Sequence, residues 1–335
     1  RIWEGKPKIA ITVILAAFSL WCIYVTLFAT FLEEIRLTSF MGLIILMGFL
    51  IYPSKKGDQK VNHMPISDII FMIVGVGSFF YFTFNVNQII NQGTRFTWFQ
   101  IVIGILAILA LIEVTRRCVG LPILIVAGVF IVYALAYGLT NPEVFGRLRY
   151  LVRNLFYTKE GIFSTPVNVC SKYIVVFIIF GAFLERTGIS NFFIDLKKTG
   201  YKPEFAGAVE ATSSTGGQIM PPIMGAAAFL MADFVGVPYS SIIGRAILPA
   251  ILYFAGIFIS VHLEAKKLDL HGMPKEQLPK AKKLVKKIYL LLPLVMLVVW
   301  VSGNFMTMQK AASLAIVLTV VVSLFNKDNH ITPGK

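Results

Sequence analysis

Acidic residues are scarce in this chain: 17 Asp and Glu among 335 residues, against 31 Lys and Arg. Charge of either sign makes up only 14% of the sequence, where a soluble domain carries roughly 25%. With 57% hydrophobic residues and a mean hydropathy of +0.77, that deficit excludes an ordinary water-soluble globule. Cysteine is rarer still. Cys22, Cys118 and Cys170 fall in or beside apolar runs without metal-ligand spacing, which leaves them as small buried residues. Four histidines, His63, His262, His271 and His330, are scattered and mostly in loops. No nucleophile elbow, Walker loop or metal-binding pattern accompanies them, so soluble-type catalysis has no support and the chain does not itself hydrolyse ATP. The net charge of +14 lies between apolar runs with no nucleic-acid-binding signature. It is the charge of Lys- and Arg-rich loops on one side of a membrane.

What is present in quantity is apolar sequence in continuous runs of about 20 residues, enough to cross ~30 Å of hydrocarbon as helix. Only helices and closed barrels satisfy their backbone in lipid, and runs without alternation are helices. The reading is therefore an all-α polytopic membrane protein. Spans are expected at Ile9–Phe31, Leu37–Tyr52, Asp68–Ile90, Trp98–Ile112, Leu121–Tyr137, Pro166–Leu184, Tyr239–Leu263, Ile288–Ser302 and Ala311–Phe325. The first is too long for a signal-peptide core and has no small-residue cleavage site.

Lys and Arg placement orients these spans. Arg1, Lys6 and Lys8, then Lys55, Lys56 and Lys60, then Arg116 and Arg117, and finally the eight lysines of Lys266–Lys287 fall on one side if the spans alternate. The condition is that Pro203–Val235 crosses an odd number of times. That side is the cytoplasm, with the N-terminus on it. One loop, Tyr137–Pro166, is basic yet faces outside. Phe145, Leu148, Leu151, Val152, Leu155 and Phe156 recur there at helical spacing, which predicts an amphipathic helix near Glu143–Phe156. Arg147, Arg149 and Arg153 on it make either a membrane-surface anchor or a docking surface for an external partner.

The segment Pro203–Val235 is itself interrupted. Ser213, Ser214, Thr215, Gly216, Gly217 and Gln218 are followed by Pro221 and Pro222. Two glycines and two prolines within seven positions do not continue a regular helix. Irregular backbone at membrane depth survives only where it is buried in protein or lines a wet cavity. Half-helix ends there offer carbonyls to a cation and amides to an anion, and the three hydroxyls add oxygen ligands suited to Na⁺. The alternative is a loop between two short helices outside the membrane. Glu210, beside the break, is a further candidate as an intramembrane acid. Asp233 is read as interfacial, and Lys172, Arg245 and His262 as snorkelling.

The stretch GYKPEFAGAVEATSSTGGQIMPPIMGAAAFLMADFVGVPYSSIIGRAILPAILYF resembles the fused permease of tripartite ATP-independent periplasmic (TRAP) transporters, and most closely the subfamily served by TAXI-type solute-binding proteins. FYTKEGIFSTPVNVCSKYIVVFIIFGAFLERTGIS and TRRCVGLPILIVAGVFIVYALAYG resemble the same family. The resemblance runs from about Tyr52 to about Pro279. It implies a four-helix scaffold domain, residues 1–117, fused to a transport domain, residues 118–335. A periplasmic TAXI-type binding protein would deliver an organic acid, and sodium would drive uptake by an elevator-like motion in the bacterial inner membrane. No bound cofactor is implied beyond the coupling ion. Ser213 through Pro222 match the broken helix of the first repeat, which places Na⁺ near Ser213, Ser214, Thr215 and Gly217. Two departures stand out. Leu196 runs straight into Lys197, where relatives carry a re-entrant hairpin, and relatives continue with a second repeat beyond this C-terminus. A structural subunit of a membrane complex, or a membrane-embedded lipid-modifying enzyme, are the competing functions. The first leaves the break unexplained, and the second lacks clustered acids or histidines.

Overall fold

The computed structural model describes all residues except 55–60, 94, 138–143, 187–199, 222–223, 271–287, 304 and 325–335. The described residues are helical, with no strand among them, and six helices are long and apolar enough to cross a bilayer. The chain is therefore a polytopic all-α membrane protein. It divides by packing into two compact units, Arg1–Ser171 and Lys172–Lys335.

Unit 1 begins with α1 (Gly5–Leu27), α2 (Glu33–Ile51) and α3 (Ile66–Phe84). A short α4 (Val86–Gln92) follows, then α5 (Trp98–Cys118), α6 (Leu121–Tyr137) and α7 (Val144–Phe156). The expected span Asp68–Ile90 is thus two helices. The reason is local: Asn85 leaves helical geometry, and its side-chain amide donates to the Tyr81 carbonyl at 2.9 Å, which is how Asn competes with the backbone of a continuing helix. In contrast, α5 extends six residues past its expected end. Its start is fixed by a capping box, in which Thr97 and Gln100 bond each other's backbone amides.

Helices α2, α3 and α5 form the middle of unit 1, and small residues let them close up. A Cβ on Gly75 of α3 would sit 2.7 Å from the Ala110 Cβ of α5, and one on Gly104 of α5 would sit 2.5 Å from Val152 of α7. Lipid tails are as apolar as Leu, so such close backbone approach, with its dispersion contacts, is what holds membrane helices together. Phe79, Phe82, Phe156 and Phe163 fill the gap between α3 and α7 with ring centroids 5.2–6.0 Å apart. Tyr157 closes that end, its hydroxyl donating to the Gln100 carbonyl at 2.7 Å.

Ion pairs stand at both ends of α2, about 27 Å apart at 1.5 Å per residue. At the C-terminal end Asp68 is buried between Arg1 and Arg117, with Arg117 at 2.7 Å. Arg117 also pairs with Glu113 at 2.7 Å and lies 4.7 Å over the Phe49 ring. Burial pushes the Arg1 guanidinium below its ordinary value, against the opposing pull of Asp68. At the N-terminal end Lys159 bridges Glu34 at 2.9 Å and Glu33 at 3.0 Å. Bonding to Glu34 raises the Lys159 ammonium above the usual lysine value. Whatever stability it adds is complete below that usual value and is lost as pH rises through the raised one.

The amphipathic helix expected at Glu143–Phe156 is α7, but it is more than a surface anchor. Val152 and Phe156 are buried in unit 1. Arg147 donates to the Leu135 and Ala136 carbonyls at the end of α6, at 3.1 and 2.8 Å, and Arg149 donates to the Phe96 carbonyl at 2.5 Å. Both arginines therefore satisfy backbone groups that would otherwise face lipid headgroups alone.

From unit 1 the chain continues through α8 (Thr165–Val169), a π-helical turn (Cys170–Ile174) and α9 (Val175–Arg186). In unit 2, α10 (Pro203–Gly216) and α11 (Ala226–Val235) pack on the long α12 (Tyr239–Lys267). A 3₁₀ turn (Ile288–Leu291) leads to α13 (Leu292–Ser302), and α14 (Met308–Leu324) packs on α13 and α9 through Ala311, Ala312, Ala315 and Thr319.

The charge cluster on Asp68 supplies a stability test. Replacing one partner of a buried ion pair leaves the other charge stranded, at about 3–5 kcal/mol. Asp68→Asn is expected near 3 kcal/mol, because Glu113 still holds Arg117, while Asp68→Leu combined with Arg117→Met is expected to recover most of the loss. Denaturation midpoints of the purified variants measure both, and an Asp68→Asn protein as stable as the parent removes the pair's structural role. Gly75→Val, which drives side-chain atoms into Ala110, is expected to cost about 1–3 kcal/mol in the same assay.

Candidate functional site

The interruption in Pro203–Val235 is a gap between two helices, α10 and α11, that both pack on α12. Tyr201, before α10, donates its hydroxyl to the Val261 carbonyl at 3.3 Å. Further on, Tyr253 donates to the Thr212 carbonyl at 2.9 Å, and a Cβ on Gly216 would meet the Tyr253 ring at 2.5 Å. Beyond the gap, Phe229 of α11 stacks on Tyr239, the first residue of α12, at 4.6 Å. Segment α10–gap–α11 therefore descends α12 antiparallel from Val261 to Tyr239. That is 22 residues of helix, about 33 Å, close to the ~30 Å of a bilayer core. The segment then turns back at Gly236, whose φ of 69° is the left-handed helix end that glycine adopts without strain. The gap lies beside the middle of α12, where Pro249 interrupts that helix's own hydrogen bonding.

The expected unwound stretch Ser213–Pro222 is only partly unwound. Ser213, Ser214, Thr215 and Gly216 form the last turn of α10, and the break starts at Gly217. Nothing in 203–216 after the first-turn Pro203 removes an amide or clashes, and the Thr212 and Thr215 hydroxyls bond back to the Ala208 and Ala211 carbonyls at 2.7 and 3.0 Å. Gly216 serves packing against α12, while Gly217 and Gln218 are exposed to the gap. Pro222 lies outside the described residues, as does the junction of Leu196 and Lys197.

Backbone groups in the gap are mostly matched. The Gly216 carbonyl accepts from Ile219 and Met220 at 3.0 and 3.1 Å, and Thr215 accepts from Gln218 at 3.1 Å. The Gln218 carbonyl accepts from Gly225 at 2.7 Å, which ties the two helix ends together and makes Gly225 the N-cap of α11. Among the described residues no backbone amide donates to the Ser214 or Gly217 carbonyl. A proline at 221 removes the amide that would have met Gly217 one turn earlier. A Cβ on Gly217 would stand 3.2 Å from the Ser214 carbonyl oxygen, a tight contact that a larger, branched side chain would crowd further.

A cavity of about 280 Å³ opens beside the break. Gly217, Gln218 and Gly225 line it together with the apolar residues Ile174, Phe177, Ile178, Met224, Ala226 and Phe229. Of the residues expected at the site, the structure brings Gly217 and Gln218 to this cavity. Ser213, Ser214, Thr215, Gly216 and Pro221 do not line it. Glu210 and Asp233 are exposed on α10 and α11 and also lie off it.

Sequence reasoning missed the aromatic brace behind the cavity. Tyr173, Phe229 and Tyr239 stack at 5.1 and 4.6 Å with their planes within 9° of parallel, and Phe177 joins at 5.9 Å. The Tyr239 hydroxyl is hydrogen-bonded to the Met224 backbone. The π-turn at Cys170–Ile174 carries Tyr173, and such turns recur at functional sites, but nothing in residues 170–174 announces a π-turn. Gly225, one residue after the Pro-Pro-Ile-Met run, was the readable signal for the start of α11.

The model of one protein family matches the chain over residues 106–198 and 196–332: tripartite ATP-independent periplasmic transporter, DctM component. The two matched segments meet at 196–198, the junction at which the resemblance leads to the expectation of a hairpin, and residues 1–105 lie outside them. No curated protein and no solved structure matches the chain. The match takes in the break, the cavity and α12 and extends over well over half of the sequence, so the chain belongs to the family of the DctM component of tripartite ATP-independent periplasmic transporters.

Proposed function

We propose that this chain is the permease of a sodium-coupled, binding-protein-dependent importer of small organic acids. The observation that carries the proposal is the interrupted segment α10–α11, which is long enough to cross a bilayer and broken at its middle. Carbonyls of Ser214 and Gly217 end one half-helix there, while the amides of α11 begin the other. Opposed half-helix ends suit a cation and an anionic substrate group at adjacent places. Na⁺ binds by the Ser214 and Gly217 carbonyls with the Ser213 and Ser214 hydroxyls. The Thr215 hydroxyl donates its proton to the Ala211 carbonyl and keeps its oxygen lone pairs for the ion. Gln218, facing the cavity, contacts the substrate carboxylate.

The same reading places the protein in a bacterial inner membrane with its N-terminus and the Lys266–Lys287 loop in the cytoplasm, where their positive charge belongs. A single crossing by α10–α11 gives the odd parity that this orientation requires. A TAXI-type binding protein delivers the acid from the periplasm. Residues 1–117 act as the scaffold, and the following transport portion carries the site across in an elevator-like motion.

Uptake into proteoliposomes, with the binding protein outside and an imposed sodium gradient, tests the proposal; uptake indifferent to sodium would falsify it. Gly217→Val is expected to abolish uptake while membrane insertion and yield stay at the parental level, since its added atoms crowd the Ser214 carbonyl. Ser214→Ala is expected to raise the sodium concentration for half-maximal uptake about tenfold, the size of losing one hydrogen-bond-strength contact to a charge. Thr215→Ala, which removes an oxygen of the same kind, is expected to shift it in the same direction. Impermeant maleimide on intact cells, applied to cysteines placed in Lys266–Lys287, is expected to label nothing.

A further inference from the structure

We propose that the cavity beside the helix break selects a small amphipathic monocarboxylate, one carboxylate on a short aliphatic or aromatic body, over di-acids and polyhydroxylated acids. This rests on the carboxylate-transport reading above and names the class of acid. The lining is divided by chemistry. Gln218 is the one polar side chain among the described lining residues and Gly217 and Gly225 have none, while Ile174, Phe177, Ile178, Met224, Ala226 and Phe229 bring hydrocarbon, a thioether and rings. Among the described residues no charged side chain lines it. Glu210, Asp233 and Arg245 are exposed on α10, α11 and α12 away from the cavity, and Lys172 lies in the π-turn with an interaction of its own.

A second carboxylate or a row of hydroxyls placed against the apolar residues would lose its hydration with no partner in return, whereas methylene groups there gain by leaving water. Rejection of this kind is steep, because unpaired polar groups are penalised more than missing methylenes. The size agrees. About 280 Å³ holds roughly nine groups the size of a water molecule at ~30 Å³ each, which fits an acid of four to eight carbons. Phe177 and Phe229 belong to the stacked brace with Tyr173 and Tyr239, so these two residues are held in place by neighbouring rings.

The test uses the full chain in lipid nanodiscs. The variant Ala226→Cys is placed at the cavity edge, with Cys118→Ser and Cys170→Ala removing the more accessible native thiols. Its maleimide labelling rate is read against acetate, butyrate, hexanoate, 3-phenylpropionate, succinate and gluconate, with and without sodium. The half-protecting concentration is expected to fall about threefold to fourfold per added methylene from acetate to hexanoate. Succinate and gluconate are expected to need at least ten times the concentration of butyrate. Ile178→Cys, among the apolar lining residues, repeats the measurement should Ala226→Cys not fold. Labelling of native Cys118 in the parent, expected to be unaffected, separates site protection from a general bilayer effect. Ile178→Trp is expected to weaken hexanoate protection at least tenfold and acetate protection less than threefold. Protection by succinate equal to that by hexanoate, a flat chain-length series, or no protection at either reporter overturns the inference. Sodium-dependent protection with succinate as good as hexanoate sinks the amphipathic class and leaves the transport reading intact. A chain-length series indifferent to sodium keeps the class and sinks the sodium coupling.

Discussion

In hydrocarbon, a backbone amide or carbonyl without a partner costs several kcal/mol, and there is no water to take it up. Every feature of this chain can be traced to that constraint. It makes the described residues helical, and under the proposed function it sets strict terms for the break between α10 and α11. Between Gly217 and Gly225 the chain meets those terms by local bonds: Thr215, Gly216 and Gln218 all find donors within the gap. The Gln218–Gly225 bond is the most consequential, because it joins the two half-helices, both of which pack on α12. Among the described residues the local bonds leave several carbonyls of this stretch without a backbone donor, those of Ser214 and Gly217 among them.

Unit 1 meets the same constraint differently. Its breaks fall at the ends of helices, and polar side chains cover them there. Arg147 takes the last carbonyls of α6, Arg149 takes Phe96, Asn85 takes Tyr81 and Tyr157 takes Gln100. Between the two ends the helices meet through Gly75 and Gly104 and through phenylalanine rings, with no ion pair needed. The buried charges, Asp68 with Arg1 and Arg117, are placed at one end of α2 and α3, where the desolvation cost is offset by several partners at once. A charged residue at a helix end also marks where the apolar span must stop, which makes these clusters both fasteners and rulers.

The long spans were legible because their signal is composition over twenty residues, and composition survives errors of register. Leu121–Tyr137 was read to the residue, and the interruption between Pro203 and Val235 was read from its glycines and prolines. The misplacements are all short-range. The break was read from Gly216, Gly217, Pro221 and Pro222, and its start was set at Ser213, ahead of them. In this environment each hydroxyl can bond back to a carbonyl of its own helix, as Thr215 does to Ala211, and the helix continues one turn longer. Asn85 ended α3 early by the reverse of that effect, its longer amide reaching a carbonyl and diverting the chain. The basic face of α7 read as a surface because pattern shows amphipathicity but not what covers the apolar side, which is α5. The stack of Tyr173, Phe229 and Tyr239 was invisible, since it joins residues 56 and 10 positions apart through a π-turn that has no sequence mark.

Among the described residues the cavity lining carries no fixed charge, and that bears on how an ion and an acid are coupled there under the proposed function. A site lined by lysine or arginine would bind a carboxylate by itself and would not need sodium. A site lined by aspartate would bind sodium by itself and would not need the acid. The lining here offers dipoles and hydrocarbon, so either ion alone would leave water for a place that returns little Coulomb energy. Bound together a few ångströms apart, Na⁺ and a carboxylate neutralise each other, and each supplies the counter-charge that the protein withholds. That is a coupling free energy in the thermodynamic sense: whatever factor sodium adds to the affinity for the acid, the acid must add to the affinity for sodium. Under the proposed function a neutral cavity is thus a requirement for tight coupling, and a basic side chain introduced among the apolar lining residues, at Ile178 for example, should bind the acid while releasing it from its dependence on sodium.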